Sequence, residues 1–260
     1  GRKIRIVVKI EKQEAVDRFG EILPLVDAVM VARGDLGIET PAANVPVIQK
    51  QLIAACRERA VPVIVATQML DSMIRNSRPT RAEVSDVANA VIDHADAVML
   101  SGESATGVNP VGAVKIMSET IEACEASHFD DLKDVNFTAP RDVPEVIGAT
   151  VRVVVEALGG APVVIATASG TTAREISSFR PEVPLYACTF DPHVQRVLRH
   201  VWGIEPYLLS KKKTPELMAK AGIELLRKER KLKHGNRVVV VTGSPSGKPG
   251  SANKIEILKI

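Results

Sequence analysis

Four short β-rich runs, each followed by a helical stretch, govern what the first half of this chain can become. Ile4–Ile10, Asp27–Ala32, Pro62–Thr67 and Asp96–Ser101 are rich in Val, Ile or Met and bounded by Pro, Gly or Asp, which is the signature of buried parallel strands. Their starts lie roughly 23 to 35 residues apart, the length of one βα unit. The second and fourth runs share the tetrapeptide Asp-Ala-Val-Met, an internal echo. Amphipathic helices are predicted between the runs, including Val45–Glu58 and Arg81–Ile92; Thr80 is the N-cap of the latter, with Glu83 completing a capping box. Four such units suit either an open doubly wound sheet or half of a (β/α)8 barrel. Glu11, Asp35, Thr67 and Glu103 each fall at or just past the C-terminal end of a strand. In barrels that end carries the chemistry, so the barrel is favoured.

The pattern breaks after Cys124. His128–Asp134 is polar, and Pro140, Asp142 and Pro144 punctuate the next stretch. The expected organisation is α/β throughout: residues 1–124 as half a barrel, 125–143 as a linker, and 144–260 as a separate α/β domain with a mostly parallel sheet. In that second domain a helix starts near Val146. Strands are expected at Val163–Ala168, Leu185–Thr189, Pro206–Ser210, Arg237–Thr242 and Ile255–Ile260. The last two, joined by Gly243–Asn253, suit a hairpin at one edge.

Composition narrows the class. The 45% hydrophobic and 25% charged residues are ordinary for a soluble globular protein. A net charge of +3 is only mildly basic, and the late cluster from Lys211 to Lys233 reads first as a solvated helix face and loop. Two Tyr, one Trp and five Phe leave little material for stacking on nucleic acid. Cys56, Cys124 and Cys188 are far apart, without metal-ligand spacing, and read as reduced thiols of a cytoplasmic protein. The longest apolar runs, such as Val238–Val241, are too short to span a bilayer. The chain opens at Gly1 rather than Met and runs straight into a strand, as expected of a piece of a longer protein.

Several clusters can carry chemistry. Lys9 and Glu11 lie two apart on a strand, so they enter one site together. An ammonium can neutralise a phosphoryl group in transfer, and a carboxylate beside it can hold Mg2+; the same pair also makes an ordinary ion pair. Arg33-Gly34-Asp35-Leu36-Gly37 follows a strand directly. Its backbone N–H groups can face an anion, and Asp35 is one strand over from Glu11, well placed to share a hard cation; a plain capped turn is the plainer reading. Thr67 offers a hydroxyl at a strand end or caps the next helix, and Ser101-Gly102-Glu103-Ser104 closes the fourth strand similarly.

Taken together, Val-Lys-Ile-Glu, Met-Val-Ala-Arg-Gly-Asp-Leu-Gly, Ala-Thr-Gln-Met-Leu, Arg-Pro-Thr-Arg-Ala-Glu-Val-Ser-Asp-Val-Ala-Asn-Ala-Val and Met-Leu-Ser-Gly-Glu-Ser resemble pyruvate kinases in order and spacing, over essentially the whole chain. The resemblance implies transfer of phosphate from phosphoenolpyruvate to ADP, giving pyruvate and ATP. Lys9 then matches the stabiliser of the phosphoryl group, Glu11 and Asp35 the protein ligands of Mg2+, and Gly34 and Asp35 the amides that receive the substrate carboxylate. Thr67 matches the threonine linked to protonation of the enolate. Lys12 and Thr106 depart from the usual pattern without touching these roles. The resemblance also implies a K+ site outside this chain, a homotetramer, and inactivity of this portion alone.

Thr167-Ala168-Ser169-Gly170-Thr171-Thr172 ends a strand and opens a helix near Ala173, a ready place for phosphate. It is similar to the family's effector loop, implying Thr167, Ser169, Gly170, Thr171 and Thr172 as ligands of an activating sugar phosphate, with Lys248 meeting a second phosphate. Gly243–Lys248 is no P-loop: it has one residue too few between its glycines, and Pro249 stands where Ser or Thr would bind Mg2+. Two rival readings are a non-catalytic sugar-phosphate-binding module on 144–260 and a barrel lyase handling pyruvate enolates.

Overall fold

The computed structural model describes residues 4–132, 142–243 and 252–260. The chain divides into two compact units, Gly1–Asp131 and Leu132–Ile260. In the first, β1 (Val7–Ile10), α1 (Gln13–Asp17), α2 (Phe19–Ile22), β2 (Ala28–Ala32), α3 (Arg33–Glu39), α4 (Val45–Glu58), β3 (Val63–Ala66), α5 (Arg81–Ile92), β4 (Ala97–Met99), α6 (Gly102–Ala105) and α7 (Pro110–Glu125) follow one another. The strands pair in sequence order, all parallel.

Each strand is shorter than its sequence run, and the trimmed residues have other work. Asp27 and Asp96, the first residues of the Asp-Ala-Val-Met echo, stand just outside β2 and β4. Asp27 accepts the Ile6 amide at 2.9 Å, and Asp96 accepts the Val63 amide at 3.0 Å. Their own amides donate to the Ile6 and Val63 carbonyls. Each aspartate therefore clasps the start of the neighbouring strand, which is the physical content of the repeat. At the far end of β3, Thr67 leaves the extended region at φ +71°.

Register sorts the side chains into rows. Val8, Val29 and Val63 align, as do Ile10, Val31, Val65 and Val98, and these rows pack into one apolar core beneath the helices. The intervening row is Lys9, Met30, Ile64 and Ala97, on the opposite face. Lys9 is exposed there and its three neighbours are half-buried, so the apolar core of this sheet lies on one face rather than on both. The capping box of α5 is formed: the Glu83 amide donates to Thr80 Oγ1 at 3.2 Å, and the Thr80 amide donates to Glu83 Oε2 at 2.7 Å. Glu83 also accepts from the Ser72 amide at 2.7 Å and so ties the loop after β3 to α5.

The second unit contains α8 (Val143–Ala157), β5 (Val163–Ala166), α9 (Thr171–Ser178), β6 (Leu185–Thr189), α10 (Pro192–Leu198), β7 (Ile204–Leu208), α11 (Pro215–Lys228), β8 (Arg237–Gly243) and β9 (Ala252–Lys259). Sheet order is β7-β6-β5-β8-β9, with only β9 antiparallel, at the edge. The strand expected at Pro206–Ser210 begins two residues earlier, at Ile204. Here β5 and β6 are buried at every position. Two cores sandwich them: Val163, Ile165, Leu185 and Ala187 face one, and Val164, Ala166, Tyr186 and Cys188 face the other. Gly222 lets α11 approach the sheet, since a Cβ there would meet Cys188 Sγ at 2.3 Å. All three cysteines are free, and burial pushes the Cys56 and Cys188 thiols up to about 12.

Glu175 on α9 carries an unusual acid. Burial, then Asp142 and Glu145, push its carboxyl up to about 7, with Arg174 opposing. The folded chain therefore holds an extra proton between the ordinary glutamate range and about pH 7, and stability falls as pH rises through that window. Glu175→Gln should leave the melting temperature at pH 5 nearly unchanged and raise stability at pH 8 by on the order of 2–3 kcal/mol. Fluorescence of Trp202, the one tryptophan, reports the melting of this unit. An equal gain at both pH values would show that the carboxyl does not titrate in this way.

Candidate active site

Parallel pairing places the C-terminal ends of β1, β2 and β3 side by side, about 4.8 Å apart. Lys9 lies near the end of β1 on the face away from the helices, and Glu11, two residues on, joins it. The two form an ion pair. Asp35 stands in the first turn of α3, immediately after β2. Hydrogen bonding to Lys9 lowers the Glu11 carboxyl; burial opposes this, and attraction to Lys9 and hydrogen bonding to Asp35 add to the lowering. Glu11 in turn raises the Lys9 ammonium by hydrogen bonding and charge, with Asp35 contributing. One ammonium and two carboxyl groups thus share one small space, all reached by solvent. As pH falls through the lowered Glu11 range, the carboxylate is lost and with it any cation it holds; above that range it stays ionised.

Thr67 is held from several directions. Its Oγ1 accepts the Gly34 amide at 2.8 Å and donates to the Ala66 carbonyl at 2.6 Å. Its carbonyl accepts Arg33 Nη2 at 2.8 Å. Thr67 and Gln68 both have left-handed backbones, at φ +71° and +54°, which costs roughly 1–3 kcal/mol for each non-glycine residue. Two such residues in succession, one of them β-branched, sit at the end of β3, where the Thr67 hydroxyl bridges the Gly34 amide and the Ala66 carbonyl.

All five residues expected to act together, Lys9, Glu11, Gly34, Asp35 and Thr67, therefore lie on three adjacent strand ends. Glu103 has a different role from the others at strand ends. It is only 2% exposed, and its two oxygens accept the Leu70 amide at 3.0 Å and the Ser101 amide at 2.8 Å. It braces the loop after β3 against the loop after β4. Arg33 and Asp86 were not singled out by sequence reasoning. Arg33 Nη1 donates to Asp86 Oδ1 at 2.6 Å, joining α3 to α5. Their separation by 53 positions left no local signal to find.

The donor set suits Mg2+. Glu11 and Asp35 supply only oxygen, two carboxyl groups side by side repel unless a proton or cation lies between them, and Mg2+ binds through one or two carboxylates while keeping water and substrate in its other positions.

In the second unit, Thr167, Ser169, Gly170, Thr171 and Thr172 form the turn from β5 into α9, which opens at Thr171, earlier than Ala173. Gly170 caps it at φ +83°, and a Cβ there would press on Leu198 and Val194 at 3.1 and 3.3 Å. Thr167 is turned inward, its Oγ1 accepting the Gly170 amide at 2.9 Å. Ser169 and Thr171 hydroxyls lie 3.1 Å apart. Lys248 lies outside the described residues.

Comparison with known proteins gives a consistent picture. A family model described as "Pyruvate kinase, barrel domain" matches residues 1–114, and "Pyruvate kinase, alpha/beta domain" matches 145–258. A pyruvate kinase of Mycobacterium tuberculosis is 44% identical over 260 residues, covering 100% of this chain and 55% of that protein. One from Lactobacillus delbrueckii subsp. bulgaricus is 43% identical over 264 residues, covering 98% of this chain and 44% of that protein. A crystal structure of a pyruvate kinase from Cryptosporidium parvum superposes with a TM-score of 0.87 at 36% identity, over 98% of this chain and 51% of that one. The chain spans about half the length of the curated relatives it matches.

Removing the Glu103 brace strands the buried Leu70 amide and leaves the part-buried Ser101 amide without its acceptor. Glu103→Ala should destabilise the first unit by roughly 2–5 kcal/mol, read by chemical denaturation, while Glu103→Gln, which keeps one acceptor, loses less. A loss below about 1 kcal/mol for the alanine variant would mean water replaces the carboxyl and the brace is dispensable.

Proposed function

Since the chain belongs to the pyruvate kinase family, as its two matched domains establish, we propose that it supplies half of the catalytic barrel and a regulatory domain to an enzyme that moves phosphate from phosphoenolpyruvate to ADP. The observation that carries this reading is the meeting of Lys9, Glu11 and Asp35 beside Thr67 at adjacent strand ends. Phosphoryl transfer asks mainly for positioning and charge neutralisation, and these groups supply both. The bond from phosphorus to the enol oxygen breaks as a bond to an ADP oxygen forms, and the enolate left behind takes a proton at C3 to become pyruvate.

The Lys9 ammonium neutralises the phosphoryl oxygens in flight. Glu11 and Asp35 would hold Mg2+, which when bound supplies positive charge to the phosphoryl and enolate oxygens. The Asp35 amide receives the substrate carboxylate, which competes with Thr67 Oγ1 for the Gly34 amide. The Thr67 hydroxyl, fixed by main-chain groups on both sides, lies on the proton path to C3. ADP binding and the K+ site belong to the remainder of the barrel. No helix among the described residues is long and apolar enough to cross a membrane, and we place the enzyme in the cytoplasm as a homotetramer working in glycolysis.

In the full-length enzyme, Lys9→Met should lower kcat more than 100-fold while the KM for phosphoenolpyruvate stays within about threefold, because the charge matters most in the transition state. Turnover preserved within threefold removes Lys9 from this role. The 260-residue chain alone should transfer no phosphate.

Regulation is proposed at the turn from β5 to α9. β5 and β8 are adjacent and parallel, so the segments after them start from the same end of the sheet. With Thr167 and Gly170 bracing the turn, the hydroxyls of Ser169, Thr171 and Thr172 and the helix amides would receive the phosphate of a sugar-phosphate activator, with Lys248 selecting a second phosphate. Calorimetry with fructose bisphosphates and sugar monophosphates should show binding that Thr171→Glu abolishes. Absence of binding, or binding indifferent to Thr171→Glu, removes the effector site and leaves the catalytic assignment standing.

A further inference from the structure

Consecutive residues at the start of α3 grip Thr67 from two sides. The Gly34 amide reaches its hydroxyl and the Arg33 guanidinium reaches its carbonyl, both at 2.8 Å. The other arm of the guanidinium is anchored on Asp86 of α5 at 2.6 Å. The Arg33 side chain is only 10% exposed, so the charge is committed to this position and not to solvent. What it holds is a backbone that does not persist unaided: Thr67 and Gln68 are both left-handed, a conformation that L-residues adopt mainly when their surroundings over-determine it.

We infer that Arg33 is a positioning residue for the proposed reaction, fixing the left-handed Thr67–Gln68 turn and thereby aiming the Thr67 hydroxyl at the proton path. The inference rests on the role proposed above for Thr67. A planar fork is required, because one nitrogen must face the Asp86 carboxylate while another faces the Thr67 carbonyl; a lysine offers a single point charge for both. Lys9, on β1, and Glu11, just past it, pair with each other and not with this fork, so loss of the grip should fall on proton transfer at C3 more than on substrate binding.

The test uses the full-length enzyme with Arg33→Lys, Arg33→Ala and Asp86→Asn. Arg33→Lys should slow exchange of pyruvate C3 protons with solvent by roughly 10- to 100-fold, the cost of misplacing a reacting group by about an ångström. The KM for phosphoenolpyruvate should change less than threefold. Amide hydrogen exchange at Gly34, whose amide donates to Thr67 Oγ1, should quicken at least tenfold, with β1–β3 protection unchanged. Millimolar guanidinium should restore part of the Arg33→Ala rate, and Asp86→Asn, which keeps the bond to the Thr67 carbonyl, should show a smaller defect. If Arg33→Ala fails to fold, the lysine and Asp86 variants still decide. A folded Arg33→Lys enzyme with C3 exchange within threefold of the parent, or with unchanged protection of the Gly34 amide, overturns the inference. If the parent itself neither transfers phosphate nor exchanges C3 protons, the functional reading falls, and the amide measurement alone decides whether Arg33 holds the turn.

Discussion

The parallel register of β1, β2 and β3 places Lys9 level with Met30 and Ile64, and Ile10 level with Val31 and Val65. A shift of one residue along β1 would turn Lys9 into the apolar core and Ile10 out of it, so the register is specified by the core itself. Asp27 and Asp96 reinforce it from the other end, each closing a pair of hydrogen bonds onto the start of the strand beside it. With the strands so locked, Glu11, Asp35 and Thr67 meet because they come after three neighbouring strands by one, three and one positions respectively. The geometry of the candidate site is a consequence of strand pairing rather than of any single loop.

Around that frame the loops are stiffened by buried and half-buried polar groups. Glu103 spans the loops after β3 and β4, Glu83 joins the β3 loop to α5, and Arg33 joins α3, α5 and Thr67. Each bond is of ordinary length; the Glu103–Leu70 bond is made away from bulk water, where an unmatched partner is expensive, and the others are part-buried. The contrast between Thr67 and Gly170 is informative. Both occupy left-handed backbone at the turn after a strand, and at Gly170 the sequence uses the residue that adopts it freely. At Thr67 it accepts strain instead, which makes sense only if the side chain is needed.

The two sheets differ in how they are covered. The second unit has a core on each face of β5 and β6, while the first has its apolar core on one face and the Lys9 row on the other. A sheet whose second face carries a charged residue level with half-buried Met30 and Ile64 has the character of a barrel wall, with Glu11, Asp35 and Thr67 at its rim.

Much of this was legible in the residues alone. The βα spacing, the α5 capping box and the strand-end positions of Glu11, Asp35 and Thr67 depend on local propensity and periodicity, which neighbouring residues determine. Strand ends were overextended because Asp27, Thr67 and Asp96 look like strand residues until their hydrogen bonds are seen. A run such as Val7–Ile10 reads alike whether one face of its sheet is covered or two. The structural role of Glu103, the Arg33–Asp86 link and the left-handed turn at Thr67 arise from contacts between positions 33 to 53 residues apart. No window of sequence contains both partners of such a bond, and only the packed tertiary structure decides which buried donor meets which acceptor.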